Sequence, residues 1–296
     1  MRRHKQLVGQ AFLPVPSVGQ AFLPVMRHSV MRHSVMRQTR MSVLLLLLFV
    51  LGCATNPEEI QRLQAGYDAL DQRQYDQAIA AADNYLAENP QGPGAAAAAY
   101  LRGRAVYARV KPNAAASQAD IQEARNRYLQ ALAASPSPAL EGLIHADLAN
   151  IAYHQDQFAV AEREWSAAYE NLDKDPIRGV VLFQIARCRQ RLSRWAEADK
   201  LYAQIQQAYP NTDLAKSAAE KQGYTGFWVQ TAAYARAADA DKAVAALAAW
   251  RAQGLQVIRK SIGSYFVVLV GPRDFAAARI LREQLAKTYK DAFVRP

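Results

Sequence analysis

Few residues of this chain have the type and spacing to do chemistry. Cys53 stands where the apolar run "SVLLLLLFVLG" gives way to the polar "ATNPEE", so a potential sulfur nucleophile marks a boundary in the chain. Cys188 has no partner once Cys53 is modified, and its helical setting predicts a small, buried, inert side chain. His145 and His154 lie too far apart for the i,i+4 pair of a helical metal site and are expected as ordinary helix residues. No G-x-S-x-G, H-E-x-x-H or glycine-rich phosphate loop occurs, and no carboxylate pair rises above the helical background. The expectation is therefore a binding protein with no catalytic residue, metal or cofactor, and not an enzyme.

The charge narrows the partners. The 296 residues carry a formal net charge of +10, but residues 1–52 hold seven of the 36 Lys and Arg and no acid. From Cys53 onward 29 basic residues face 26 acidic ones, too even a balance for the basic footprint of a nucleic-acid binder. The N-terminus repeats "VGQAFLPV" at 8–15 and 18–25, then "MRHSV" at 26–30 and 31–35. Units this small cannot stack as a solenoid, whose repeats run to about 20–50 residues. They read as translated repetitive DNA ahead of a start at Met36 or Met41, which sets residues 1–35 apart from the fold.

From Met36 a basic stretch, "MRQTRM", precedes an apolar run shorter than the about 20 residues that span a bilayer, so 36–52 reads as a signal peptide. Its end, Val50-Leu51-Gly52-Cys53, resembles a bacterial lipobox. The resemblance implies cleavage before Cys53, diacylglycerol on its sulfur and acylation of the new amino terminus, a multi-chain anchor that holds stably. Ala54, where inner-membrane lipoproteins of diderm bacteria typically carry aspartate, implies the outer membrane, facing the periplasm. Residues 53–59 are then a tether.

Residues 60–222 are alanine-rich and helical in texture, with a recurring unit of aromatic, alanine, aromatic and terminal proline. It is read at Tyr75, Ala78, Ala82, Tyr85 and Pro90; at Ala124, Tyr128, Ala131 and Pro136; at Phe158, Ala161, Trp165 and Ala168; and at Trp195, Ala198, Tyr202, Ile205 and Pro210. Alanine permits close approach of two helices, the aromatic fills the gap to the next pair, and proline stops the second helix. The pattern resembles the tetratricopeptide repeat (TPR), including Gly66 in a small-residue slot of the first helix, and departs from it where "KPNAAASQAD" lengthens the second unit. The resemblance implies a scaffold of helical hairpins whose concave face holds a protein partner.

At Gly223 the texture changes. "GFWVQTAAY", "LQVIRKS", "SYFVVLVGP" and "DAFVRP" are strand-like, with helices expected over 239–253, closed by Gly254, and from an N-cap at Asp274 to Tyr289. The order is βαββαβ, a four-stranded antiparallel sheet with both helices on one face. Residues 223–296 resemble the SPOR domain. Trp228-Val229-Gln230, Ala232-Ala233-Tyr234, Tyr265-Phe266, Val268, Val270 and Gly271-Pro272 carry the likeness, while Val267 and Leu269 stand where the family commonly has arginines. The resemblance implies binding of peptidoglycan glycan strands across the open sheet face. Strand alternation places Trp228, Gln230 and Ala232 together, and likewise Tyr265, Val267 and Leu269. The expected glycan site is Trp228, Gln230, Tyr265, Val267 and Leu269, with Tyr234 at the rim and a charge from Arg259 or Lys260.

The whole then reads as a multidomain chain, an all-α TPR-like array followed by an α+β SPOR domain. It is expected to be a lipid-anchored envelope protein that recruits a partner to the wall or the division site. An alternative is a TPR lipoprotein that assists outer-membrane protein assembly. The short junction between array and sheet predicts limited independent motion.

Overall fold

The structure, a computed structural model, describes residues 57–110, 116–172 and 177–296. Cys53, the lipobox and the repeated leader lie outside the described residues. Helices α1 (Pro57–Asp71), α2 (Tyr75–Glu88), α3 (Ala95–Arg109), α4 (Ala116–Ala133), α5 (Pro138–His154), α6 (Phe158–Asn171), α7 (Ile177–Arg191), α8 (Trp195–Ala208) and α9 (Asp213–Lys221) follow in order. They fall into two compact units, 57–181 and 182–296, and the division passes through α7.

The repeat is visible in the turns. Between α1 and α2, α5 and α6, and α7 and α8, the middle turn residue takes a left-handed conformation: Arg73 at φ 62°, Asp156 at 58° and Ser193 at 60°. The residue after it donates its N–H five positions back, Gln74 to Ala69 O at 2.8 Å, Gln157 to Ala152 O at 2.9 Å and Arg194 to Arg189 O at 2.8 Å. This six-to-one bond satisfies a carbonyl that the helix end would leave unpaired. The following helix then begins on the aromatic of the repeat, Tyr75, Phe158 or Trp195, and runs 14 residues each time.

The repeat positions are interior. Ala78, Ala124, Ala161 and Ala198 have no exposed surface, and Tyr128, Trp165 and Tyr202 are buried one turn on. A Cβ on Gly66 would stand 2.6 Å from Leu101 Cδ2 and 3.0 Å from Ala81 Cβ, so the small-residue slot is a real close approach. Tyrosine hydroxyls are used as well as rings: Gly94 N–H donates to Tyr85 Oη at 2.9 Å, and Tyr202 Oη donates to Gln190 Oε1 at 2.9 Å. Cys188 is buried, and burial pushes its thiol up to about 12, which leaves it inert.

The C-terminal part is a four-stranded antiparallel sheet of order β2-β3-β1-β4, built from β1 (Phe227–Tyr234), β2 (Gln256–Ile262), β3 (Tyr265–Arg273) and β4 (Phe293–Arg295). Helix α10 (Ala237–Ala246), a 3₁₀ turn over Ala248–Gln253 and α11 (Phe275–Ala286) pack on one face. The first expected helix thus divides in two before Gly254, whose φ of 71° ends it. Asp274 caps α11 by accepting the Ala277 N–H at 2.8 Å. The helical face of the sheet carries Val229, Val257, Val268 and Val270, closed over by Leu247, Leu281 and Leu285.

This domain is continuous with the last helices in the unit 182–296. Phe227 packs against Trp195 of α8 at 5.0 Å between ring centroids, tilted by 49°, and meets Phe275 edge-on at 5.2 Å. The Arg191 guanidinium of α7 lies 3.8 Å from the Phe275 centroid. Gln190 Nε2 donates to Lys221 O at 2.7 Å, and Gly223 N–H donates to Asp199 Oδ1 at 3.0 Å.

Candidate functional site

The face of the sheet away from α10 and α11 collects most of the residues expected there. In β3 the pleat turns Tyr265, Val267 and Leu269 to this face. Their register partners Ile262, Lys260 and Ile258 in β2 share it, as do Gln230 and Ala233 in β1. Val267 and Leu269 are only 3% and 4% exposed, so they form the floor of the face. Tyr265, at 41%, stands at the hairpin end, about 20 Å along the strand from Gly271. Trp228 lies at that other end. Gly271 has no Cβ to meet its ring, since one built there would sit 3.2 Å from Trp228 Cδ2 and 2.9 Å from Phe227 O.

Two expected members are elsewhere, each for a physical reason. A bulge at Thr231 interrupts alternation: Gln230 pairs with Leu269, but Ala232 pairs with Val268, and Tyr234 with Phe266. Thr231 is buried and bonds Val268 O through its hydroxyl at 3.3 Å. Past the bulge the faces exchange. Ala233 therefore looks outward, while Tyr234 packs on the helical core and Ala232 joins that side. Arg259 is likewise on the helical face, because it pairs with Val268 in register. It bonds Asp241 of α10 at 3.1 Å and lies over the Phe266 ring at 5.3 Å. The cation that β2 presents on the outer face is Lys260, which is exposed.

Strand β4 adds residues outside the expected set. Phe293 pairs with Gln230 and Arg295 with Trp228, so both face outward while Val294 packs on the core. Arg295 Nη1 donates to Gln230 Oε1 at 2.9 Å, which fixes the amide with its N–H₂ turned to donate. The alternation in "DAFVRP" already carried this assignment, given the pairing of β4 with β1.

In the helical unit, a few polar groups sit in the interior. Tyr100 Oη donates to Asp147 Oδ2 at 3.1 Å, and Arg104 Nε lies 3.8 Å from the same oxygen. Burial raises the Asp147 carboxyl above its ordinary range, opposed chiefly by Arg104 and the Tyr100 hydrogen bond. His145 Nδ1 is 2.8 Å from Glu164 Oε2, and that bond is the main reason the Glu164 carboxyl lies below its ordinary range. Among the described residues no group of three or more His, Cys, Asp or Glu is placed to hold a metal ion, and no helix is long and apolar enough to cross a membrane.

Comparison with known proteins gives a family match for the C-terminal part. Residues 223–296 match the SPOR domain family. Among solved structures, a thermophilic TPR protein of Thermus thermophilus, TTC0263, is similar at 16% identity with a TM-score of 0.46, over 63% of this chain and 93% of that one. No curated protein gives a significant match. The chain thus carries an array of helical hairpins followed by a region, 223–296, that matches the SPOR domain family.

Proposed function

We propose that this protein binds peptidoglycan glycan strands across the helix-free face of its SPOR sheet and holds a protein partner on its TPR-like array. The observation that carries the reading is the composition of that face. Sugars offer apolar ring faces and many hydroxyls, so a site for them needs flat aromatics and fixed hydrogen-bond donors. Trp228 and Tyr265 mark the two ends of the face, Val267 and Leu269 make its floor, and the Gln230 amide is oriented between them by Arg295. Lys260 supplies a charge at the β2 side.

The SPOR domain places the protein at the cell envelope with peptidoglycan. Within that setting we assign Cys53 as the lipidated first residue of the mature chain and the outer membrane as the anchoring site. The array then serves to recruit its partner to the wall, including at the division septum. Cosedimentation with amidase-treated sacculi tests the glycan reading. The wild type is expected to pellet, Gln230→Ala to bind about two- to tenfold more weakly, and Trp228→Ala to lose more. Failure of the wild type to bind would sink the reading. Cys53→Ser is expected to leave the membrane fraction, and persistent membrane association would overturn the anchor.

A further inference from the structure

Strands β1, β2, β3 and β4 contain no Asp or Glu. A sugar hydroxyl donates as well as accepts, and a carboxylate is the strong acceptor a protein can set against it. The outer sheet face draws none from its strands. Its polar groups at the β4 edge donate instead. Arg295 pairs with Trp228 across β4 and β1, and its guanidinium forms no ion pair among the described residues. Its Nη1 donates to Gln230 Oε1 at 2.9 Å, which occupies the acceptor end of that amide. Gln230 is only 9% exposed, set in β1 between Leu269 of β3 and Phe293 of β4. Its Nε2 has no partner among the described residues. A donor so enclosed is costly to leave unpaired, and an acceptor on a ligand would satisfy it. Lys260 brings a further donor from β2, while Gln256 and Tyr265, both exposed, stand at the β2 rim and the hairpin end.

We infer that Gln230 Nε2 and Arg295 read the acetamido carbonyl oxygens of the glycan, so that N-acetylation of the amino sugars decides binding at this face. The inference rests on the glycan reading above and names the sugar substituent that the face selects. An amide oxygen accepts without donating, which matches a pair of donors, and the acetyl methyl adds apolar surface beside the Trp228 ring. Removal of the acetyl group leaves an ammonium, which only donates. It finds no strand carboxylate on this face and meets the like charges of Lys260 and Arg295, so the same groups that hold the acetylated sugar repel the amine. Arg295 therefore has two parts. It donates to the glycan, and through its bond to Oε1 it fixes which end of the Gln230 amide meets the ligand. An amide free to turn would present its oxygen as readily as its nitrogen and would accept from an amine.

The test uses the purified full chain and three forms of the same amidase-treated strands, in slightly acidic buffer where free amines are charged. One form is fully N-acetylated, one is de-N-acetylated, and one is de-N-acetylated and then N-formylated, which restores the carbonyl without the methyl. The wild type is expected to bind the acetylated form about tenfold more tightly than the amine form, with formylation recovering most of the difference. Gln230→Glu replaces the donor by an acceptor while leaving Arg295 its partner. It is expected to bind the acetylated form about tenfold more weakly than the wild type and the amine form more tightly. Arg295→Gln is expected to narrow the preference by freeing the amide, and Arg295→Lys, which still donates, to keep it. Thermal melts identify any variant that fails to fold, and the wild-type comparison of the three probes stands without them. Equal wild-type affinity for acetylated and amine strands would overturn the inference and leave the glycan reading standing. Formylated strands bound as weakly as the amine would also sink it, since the methyl and not the carbonyl would then be read. A folded Gln230→Glu that keeps the wild-type preference would reject Gln230 as the donor. Absence of binding to every form fails the glycan reading, and the inference with it.

Discussion

Gly271 keeps the outer sheet face in shape by having no side chain. A methyl group there would stand 2.9 Å from Phe227 O and 3.1 Å from Trp228 Cα, contacts with backbone that cannot rotate away. Gly271→Ala is therefore expected to destabilise the C-terminal unit by about 1–3 kcal/mol and to displace the Trp228 ring, read as a lower denaturant midpoint with altered indole fluorescence. Asp147 makes a different prediction, one of sign. Burial raises its carboxyl in the folded state, so the native protein holds a proton that the unfolded chain has released. Stability then falls as pH rises above the unfolded value of about 3.9 and through the raised native one. Asp147→Asn removes this group's titration. Denaturant midpoints measured from about pH 3 to 7 should show the wild type losing stability relative to the variant as pH increases.

At the scale of elements, the three matching turns each hold a non-glycine residue at positive φ, which costs about 1–2 kcal/mol relative to a relaxed backbone. Ser193→Gly is expected to raise the melting temperature, corresponding to about 0.5–1 kcal/mol, once glycine's greater unfolded-state freedom is allowed for. These turns follow from local chemistry, and so do the aromatic–alanine spacing and the Asp274 cap, which is why the helices and the βαββαβ order were legible in the residues. The helix-free sheet face was legible only in part. Gln230, Tyr265, Val267 and Leu269 could be assigned by alternation, whereas Trp228 sits at a second register shift of β1 against β3 and keeps its face through its pairing with Arg295 of β4. Tyr234 could not, because the bulge at Thr231 depends on the β1–β3 pairing and leaves no mark in β1 alone. Arg259 and Lys260 were equivalent as adjacent cations until the register of β2 against β3 separated their faces.

At the scale of the molecule, the end of α7, α8, α9 and the sheet form one compact unit, and an aromatic joint holds it together. Trp195→Ala removes the ring against which Phe227 packs and is expected to cost about 1–3 kcal/mol. Hydrogen exchange should then quicken in the β1 and β3 amides, across the boundary at which the family match begins. Unchanged protection in those strands would show the joint to be superficial. The same joint sets a limit on how such a chain can be assembled by recombination. A crossover at Gly223, where the family match starts, would transfer the sheet with Phe227 stripped of Trp195 and Arg191 and newly exposed to water. A crossover near Leu182 would transfer the ring together with Trp195 and Arg191. The unit that must move together to keep Phe227 covered is therefore longer than the residues that match the family.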